Sequence, residues 1–189
     1  MKEIEILQNN KKWIVVNKPS GLSVHNNEDD LNLIKVLDAQ GFKNFSPVNR
    51  LDKETSGIML LSSDTETSSK LQLSLNSTHS SKKYLAIVKG TFPGETTSGI
   101  WDQELTNKAE GRKNPLGIKS ERVKCVTHYK VLVTSKYLSF IQFKIETGRQ
   151  HQIRKHCINQ KHQLIGDSRY GDLKLSLIHI SEPTRLGMI

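Results

Sequence analysis

Cysteine is scarce in this chain: 189 residues carry two, Cys125 and Cys157, far apart and with no Cys-x-x-Cys pair. That count excludes a disulfide framework and a cysteine-rich zinc site, and a reducing compartment is the simple reading. Long apolar runs are missing too. No segment approaches the ~20 apolar residues of a membrane-spanning helix. The start, Met1-Lys2-Glu3-Ile4-Glu5, lacks the apolar centre of a secretory signal. The expectation is a cytoplasmic protein. There is no internal repeat, and no interdomain linker stands out. Ser20 and Ser56 precede glycines but belong to no Gly-x-Ser-x-Gly elbow, which disfavours a serine nucleophile. His151 and His156 are five apart, not the four that sets two ligands on one helical face, and no carboxylate completes a ligand triad close by, Asp167 following only later. This spacing argues against a zinc site.

Positive charge is what the chain has in excess. Lys and Arg number 28 against 19 Asp and Glu, a formal net charge of +9. Each basic side chain placed on a phosphate releases a counterion, so the balance favours a nucleic-acid partner. The length suits one domain with a real core.

Apolar periodicity places the elements. Ile4–Leu7 and Trp13–Asn17 read as strands, the second ended by Lys18-Pro19-Ser20-Gly21. Leu33 to Leu37 has helical spacing, with Gly41 as a stop. Ile58-Met59-Leu60-Leu61 reads as a buried strand. Asp64 or Thr65 is placed to cap a helix over Glu66 to Asn76. Lys83 to Gly90 is a strand, and Gly99 to Leu105 holds a short one in a glycine-rich loop. Val123–Val133 and Tyr137–Ile145 form a hairpin. Thr147-Gly148 opens a helix across Gln150 to Asn159 and offers N–H groups to a phosphate. The class is α+β, with a mixed, mostly antiparallel sheet flanked by helices.

Asn49-Arg50-Leu51-Asp52-Lys53-Glu54-Thr55-Ser56-Gly57 puts a carboxylate beside an arginine in a turn that leads directly into the buried strand. Asp52 has two readings. One is an Asx-turn that only shapes the bend. The other is a positioned catalytic carboxylate, with the Arg50 cation on the same side of an extended backbone. A second basic cluster runs from Gly148 to His156 and contains Arg149, His151 and Arg154. As a helix it turns Ile153 and Cys157 to the core and sets Arg154 beside them. A partly buried arginine needs a carboxylate, and Asp52 is the natural candidate; a solvated basic face is the alternative. Tyr84 is either a core-edge aromatic or a platform for a flipped base. Asp167-Ser168-Arg169-Tyr170-Gly171-Asp172 by itself reads as a surface loop.

Five segments occur in order: VNKPSGLSVH (Val16 to His25), NRLDKETSGIMLL (Asn49 to Leu61), KKYLAIVKG (Lys82 to Gly90), TGRQHQIRKH (Thr147 to His156) and IGDSRYGD (Ile165 to Asp172). Together they resemble the RluA-like pseudouridine synthases. The resemblance implies an isomerase that turns a uridine of ribosomal or transfer RNA into pseudouridine, without cofactor or metal. It makes Asp52 the essential aspartate and Arg50 the residue that helps extrude the nucleotide. Tyr84 is then the tyrosine against the flipped uracil, and Arg154 the arginine that pairs with the aspartate. Ile153 lines the uracil pocket, and Thr55, Arg149 and His151 join it as substrate-binding residues. A monomer is expected. Asn49 departs from the family, which usually has histidine there; since asparagine still donates a hydrogen bond, tuning of the loop is expected.

The end of the chain departs further. Leu175 to Ile189 reads LSLIHISEPTRLGMI and resembles translated adapter sequence, and the family's Arg-Leu-x-Leu-His segment is absent. The expected division is a catalytic domain over 1–174, incomplete at its C-terminus, and a non-native or disordered tail over 175–189. An exposed sheet edge is then expected.

Two other functions fit part of the pattern. An N-glycosidase would break the same N1–C1′ bond, but such enzymes pair two carboxylates, and only Asp52 stands out. A non-catalytic RNA-binding module fits the charge equally.

Overall fold

The computed structural model describes residues 3–25, 31–77, 79–92 and 97–171. The tail expectation and part of the glycine-rich loop lie outside them. The chain divides into two compact units, one ending at Ser80 and the other beginning at Ser81. Every strand pair among the described residues is antiparallel, and the class is α+β as expected.

In the first unit the strands are β1 (Glu5–Asn9), β2 (Trp13–Lys18), β3 (Ser46–Pro47) and β4 (Gly57–Ser62), in the order β1-β2-β4-β3. Two-residue alternation sends Ile14, Val16 and Lys18 of β2 inward, facing Met59 and Leu61 of β4. Helix α1 (Leu33–Ala39) closes the core with Leu33, Val36 and Leu37. Asn32 caps it, its side chain accepting the Lys35 N–H at 3.0 Å. Each such buried aliphatic side chain contributes ~1.5–3 kcal/mol of burial. Helix α2 (Thr65–Leu75) has no fully buried residue, and its start is capped by Asp64, which accepts the Thr67 N–H at 2.7 Å.

The second unit orders its strands β5-β8-β7-β6. They are β5 (Lys82–Lys89), β6 (Ser98–Trp101), β7 (Thr127–Thr134) and β8 (Leu138–Ile145). Val88, Trp101, Ile141 and Phe143 form the core with Phe92 and with Cys157 of α3 (Gln152–Asn159). The expected hairpin is present, but β7 begins at Thr127, because Val123 is paired instead with Leu105 in an isolated bridge. The expected strand at Gly99 stops at Trp101.

Candidate active site

The charged turn in the first unit is built from below. Lys18 is inward-facing by strand parity and fully buried, and the register sets it opposite Gly57. Its ammonium donates to three carbonyls: Leu22 at 2.7 Å, Pro19 at 3.0 Å and Lys53 at 3.2 Å. Two further bonds fasten the same turn: the Gly21 N–H donates to the Lys53 carbonyl at 2.8 Å, and the Ser20 hydroxyl to that of Glu54 at 2.6 Å. The turn closes with the Thr55 N–H on the Asp52 carbonyl at 3.1 Å. Asn49 clasps β4, accepting from the Leu60 N–H at 2.7 Å and donating to the Ile58 carbonyl at 3.4 Å. Asp52 thus sits half-buried on a turn anchored on both sides, next to exposed Arg50 and half-buried Thr55. Burial pushes the Lys18 ammonium down to about 8, against the opposing pull of Glu54 and Asp52.

The Lys18-Pro19-Ser20-Gly21 segment is therefore a clamp for the charged turn rather than a bare loop. Sequence reading missed Lys18. The available signal was its parity with Ile14 and Val16, which marked it as inward-facing.

In the second unit helix α3 begins later than expected, at Gln152. His151 precedes it in the left-handed region at φ 55°. Two of the N–H groups expected to meet a phosphate are occupied: the Arg149 N–H donates to the Gln152 side-chain oxygen at 3.1 Å, and the Gln150 N–H to that of Asn107 at 3.0 Å. For these two the expectation is corrected. Gln152 is buried and binds four groups, also accepting from Thr147 Oγ1 and donating to the Val126 carbonyl and Thr127 Oγ1.

The solvated basic face also gives way. Lys155 and His156 are fully buried. The Lys155 ammonium donates to the Thr106 carbonyl at 2.8 Å, and burial lowers its pKa. His156 donates from Nε2 to the Gln103 carbonyl at 2.9 Å and accepts at Nδ1 from Thr127 Oγ1 at 2.9 Å; burial lowers its pKa and keeps the ring neutral. Among the described residues, no three His, Cys, Asp or Glu side chains gather as a metal site requires.

Arg154 carries a buried ion pair. Its Nε donates to Asp167 Oδ2 at 2.9 Å and its Nη2 to Oδ1 at 2.7 Å, a bidentate fork with side chains 11% and 4% exposed. Burial alone would raise the Asp167 pKa, but the bonds from Arg154 and the Tyr170 N–H outweigh it and hold the carboxyl low. Tyr170 packs its ring 5.3 Å from the guanidinium carbon, and its hydroxyl meets His151 Nδ1 at 3.0 Å. Burial pushes that phenol up to about 12. Tyr84 and Ile153 both pack half-buried against the apolar cluster of this unit. The sequence pattern marks Asp167 and Tyr170 only as loop; the signal available was an acid four residues before a glycine, in a stretch holding a tyrosine.

The nominated residues therefore fall in two groups. Arg50, Asp52 and Thr55 stand on the clamped turn of the first unit. Tyr84, Arg149, His151, Ile153 and Arg154 stand in the second, around the sheet face and the start of α3. Arg149 is half-buried, and its Nε has no hydrogen-bond partner among the described residues. The first group offers a fixed carboxylate beside a cation. The second offers Tyr84 and Ile153 at the edge of the apolar cluster and a guanidinium fixed by Asp167.

Comparison with known proteins agrees. A family model described as RNA pseudouridylate synthase matches residues 12–159. The tRNA pseudouridine synthase C of Pasteurella multocida (strain Pm70) is 33% identical, over 90% of this chain and 75% of that protein. Ribosomal large subunit pseudouridine synthase D of Pseudomonas aeruginosa is 32% identical, over 89% of this chain and 54% of that one, so the chain spans about half of that relative. Among solved structures, human RNA pseudouridylate synthase domain containing 1 superposes with a TM-score of 0.74 at 24% identity, covering 91% of this chain and 71% of that one. Human RNA pseudouridylate synthase domain containing 4 gives 0.72 at 26%, covering 91% of this chain and 70% of that one. The family match and these relatives make the chain an RNA-modifying isomerase. The chain belongs to the RNA pseudouridylate synthase family.

Proposed function

We propose that this protein isomerises a particular uridine of transfer or ribosomal RNA to pseudouridine, with Asp52 as the essential reagent and Arg154 as its electrostatic partner. The observation that carries the reading is the clamped turn: Asp52 rides on backbone held by Lys18, Ser20 and Gly21, beside Arg50. A carboxylate that must meet one atom of a nucleoside needs such a mounting.

The reaction breaks N1–C1′, turns the base and joins C5 to C1′; C5 then gives up its proton and N1 ends protonated, so the product is an isomer. The target leaves its helix first, at a cost of a few kcal/mol. Phosphate contacts to the basic surface offset this, and Arg50 fills the space vacated. Asp52 then attacks C1′ or removes the C2′ proton; either route uses its ionised form. Tyr84 and Ile153 hold the freed uracil, while Thr55, Arg149 and His151 contact the substrate. Nothing leaves the molecule, so no cosubstrate takes part. The protein works as a cytoplasmic monomer.

The choice of RNA rests with the segment from Gly90 to Arg122. Its exposed Arg112 and Lys113 stand on backbone braced through Asn107 to Gln150 and through the Glu110 carbonyl to Arg169. Mapping pseudouridine in total RNA with and without the gene tests the reading. Loss of one or a few sites is expected, and an unchanged map refutes it. An abasic site in place of pseudouridine would instead identify a glycosidase, and altered RNA folding with no modification an RNA-binding module.

A further inference from the structure

We propose that Asp167 is a positioning residue for the isomerisation, locking Arg154 in one plane so that only the outer edge of its guanidinium serves the reacting groups. The inference rests on the reading that Arg154 acts with Asp52.

A guanidinium has five N–H donors in a fixed fork. Asp167 takes the inner edge, Nε and one proton of Nη2, at 2.9 and 2.7 Å. The remaining donors, on Nη1 and the second Nη2 position, form an edge of the same shape that matches another carboxylate or a uracil carbonyl. Asp167 itself cannot swing. Its Oδ1 also accepts the Arg169 N–H at 2.9 Å and the Tyr170 N–H at 3.0 Å. Behind it the Gly171 N–H closes on the Asp167 carbonyl at 2.9 Å, and a Cβ at Gly171 would collide with that oxygen. Tyr170 covers one flank of the guanidinium and is itself fixed by His151.

Stability alone gives a poor reason for this arrangement. A buried ion pair returns little over a well-packed apolar pair of the same volume, because both charges lose their hydration. A carboxylate that orients and neutralises a working cation explains the burial. Within the second unit, the other charged or titratable groups around the pair include Cys157 on α3, Arg169 on the turn and Glu110 on the neighbouring loop.

The test uses the purified full chain on an RNA bearing its mapped target uridine. In Asp167→Asn the amide oxygen still accepts the Arg169 and Tyr170 N–H groups, but its NH2 turns a donor against Arg154. Misplacement of about an ångström is worth up to ~100-fold in rate. We expect kcat to fall by ~10–100-fold with KM within about threefold, and Arg154→Lys, which keeps charge but lacks the fork, to fall as far. Adding Asp167→Asn to Arg154→Lys should cost less than about threefold more, since both act through one group. Should Asp167→Asn fail to fold, Asp167→Glu replaces it: the extra methylene moves the fork without removing charge, and the same kcat loss is expected. A wild-type kcat in whichever variant folds overturns the proposal. If Asp52→Ala is inactive in the same assay, the broader reading survives that failure; if Asp52→Ala is active, that reading falls first.

Discussion

Replacing Lys18 by methionine keeps the length of the side chain and deletes its ammonium. Three carbonyls, of Pro19, Leu22 and Lys53, then lose their donor in a partly buried site. Charge-assisted bonds of this kind contribute ~1.5–3 kcal/mol each, so their loss is worth ~4.5–9 kcal/mol. Against that stands the burial of the charge. A folded pKa of about 8, compared with the ordinary 10.5, corresponds to ~3 kcal/mol at ~1.36 kcal/mol per pH unit. The variant should therefore be less stable by ~1–6 kcal/mol at pH 7, most simply by ~3. The sign of the pH dependence is specific. Between about 8 and 10.5 the unfolded chain holds a proton on Lys18 that the folded chain has released. Wild-type stability gains from this group as pH rises through that window, and the methionine variant has no such gain. Urea denaturation of both proteins at several pH values should show their difference widening by as much as ~3 kcal/mol from pH 8 to pH 10.5. A difference that is absent at pH 7, or that shrinks as pH rises, would refute the reasoning that Lys18 is a buried ammonium clamping the charged turn.

Three other outcomes are expected. Gln152→Leu strands four partners around the start of α3 and should cost ~3–5 kcal/mol in chemical denaturation; a loss under ~1 kcal/mol would show the network to be dispensable. Gly117→Ala places a Cβ at φ +73° against the Thr106 and Glu110 side chains. It should lower the melting temperature and loosen the loop that carries Arg112 and Lys113, with limited proteolysis as the check; unchanged cleavage counts against the bracing. Arg112→Ala with Lys113→Ala should weaken RNA binding and flatten the salt dependence of log K by ~0.7 for each phosphate no longer neutralised; an unchanged slope would place the RNA elsewhere.

Much of the fold was legible because its periods are clean. Strands β2, β4, β5 and β8 alternate or run apolar between glycine, proline and polar breaks, and Asp64 marks the start of α2. Helix α3 starts two residues beyond the expected point, because a side chain, Gln152, supplies the caps that backbone spacing suggested were open. Lys155 and His156 hide a second departure. Their one-letter pattern is that of a basic helix, yet carbonyls from Thr106 and Gln103, far away in sequence, make burial tolerable. Long-range partners of that kind leave no periodic trace. The same holds for the Arg154–Asp167 fork: the need of a buried arginine for an acid was readable, whereas Asp167 as a partner required the turn geometry. Lys18 shows the reverse case, where parity alone pointed inward and the charge concealed it.

The most direct measurement is single-turnover conversion of a defined RNA by the wild-type chain and by Asp52→Asn, with RNA binding measured alongside. Asparagine keeps the size of the side chain and removes its charge. Binding should stay within a few-fold while pseudouridine formation falls below detection. Conversion by Asp52→Asn within tenfold of the wild-type rate would contradict the account.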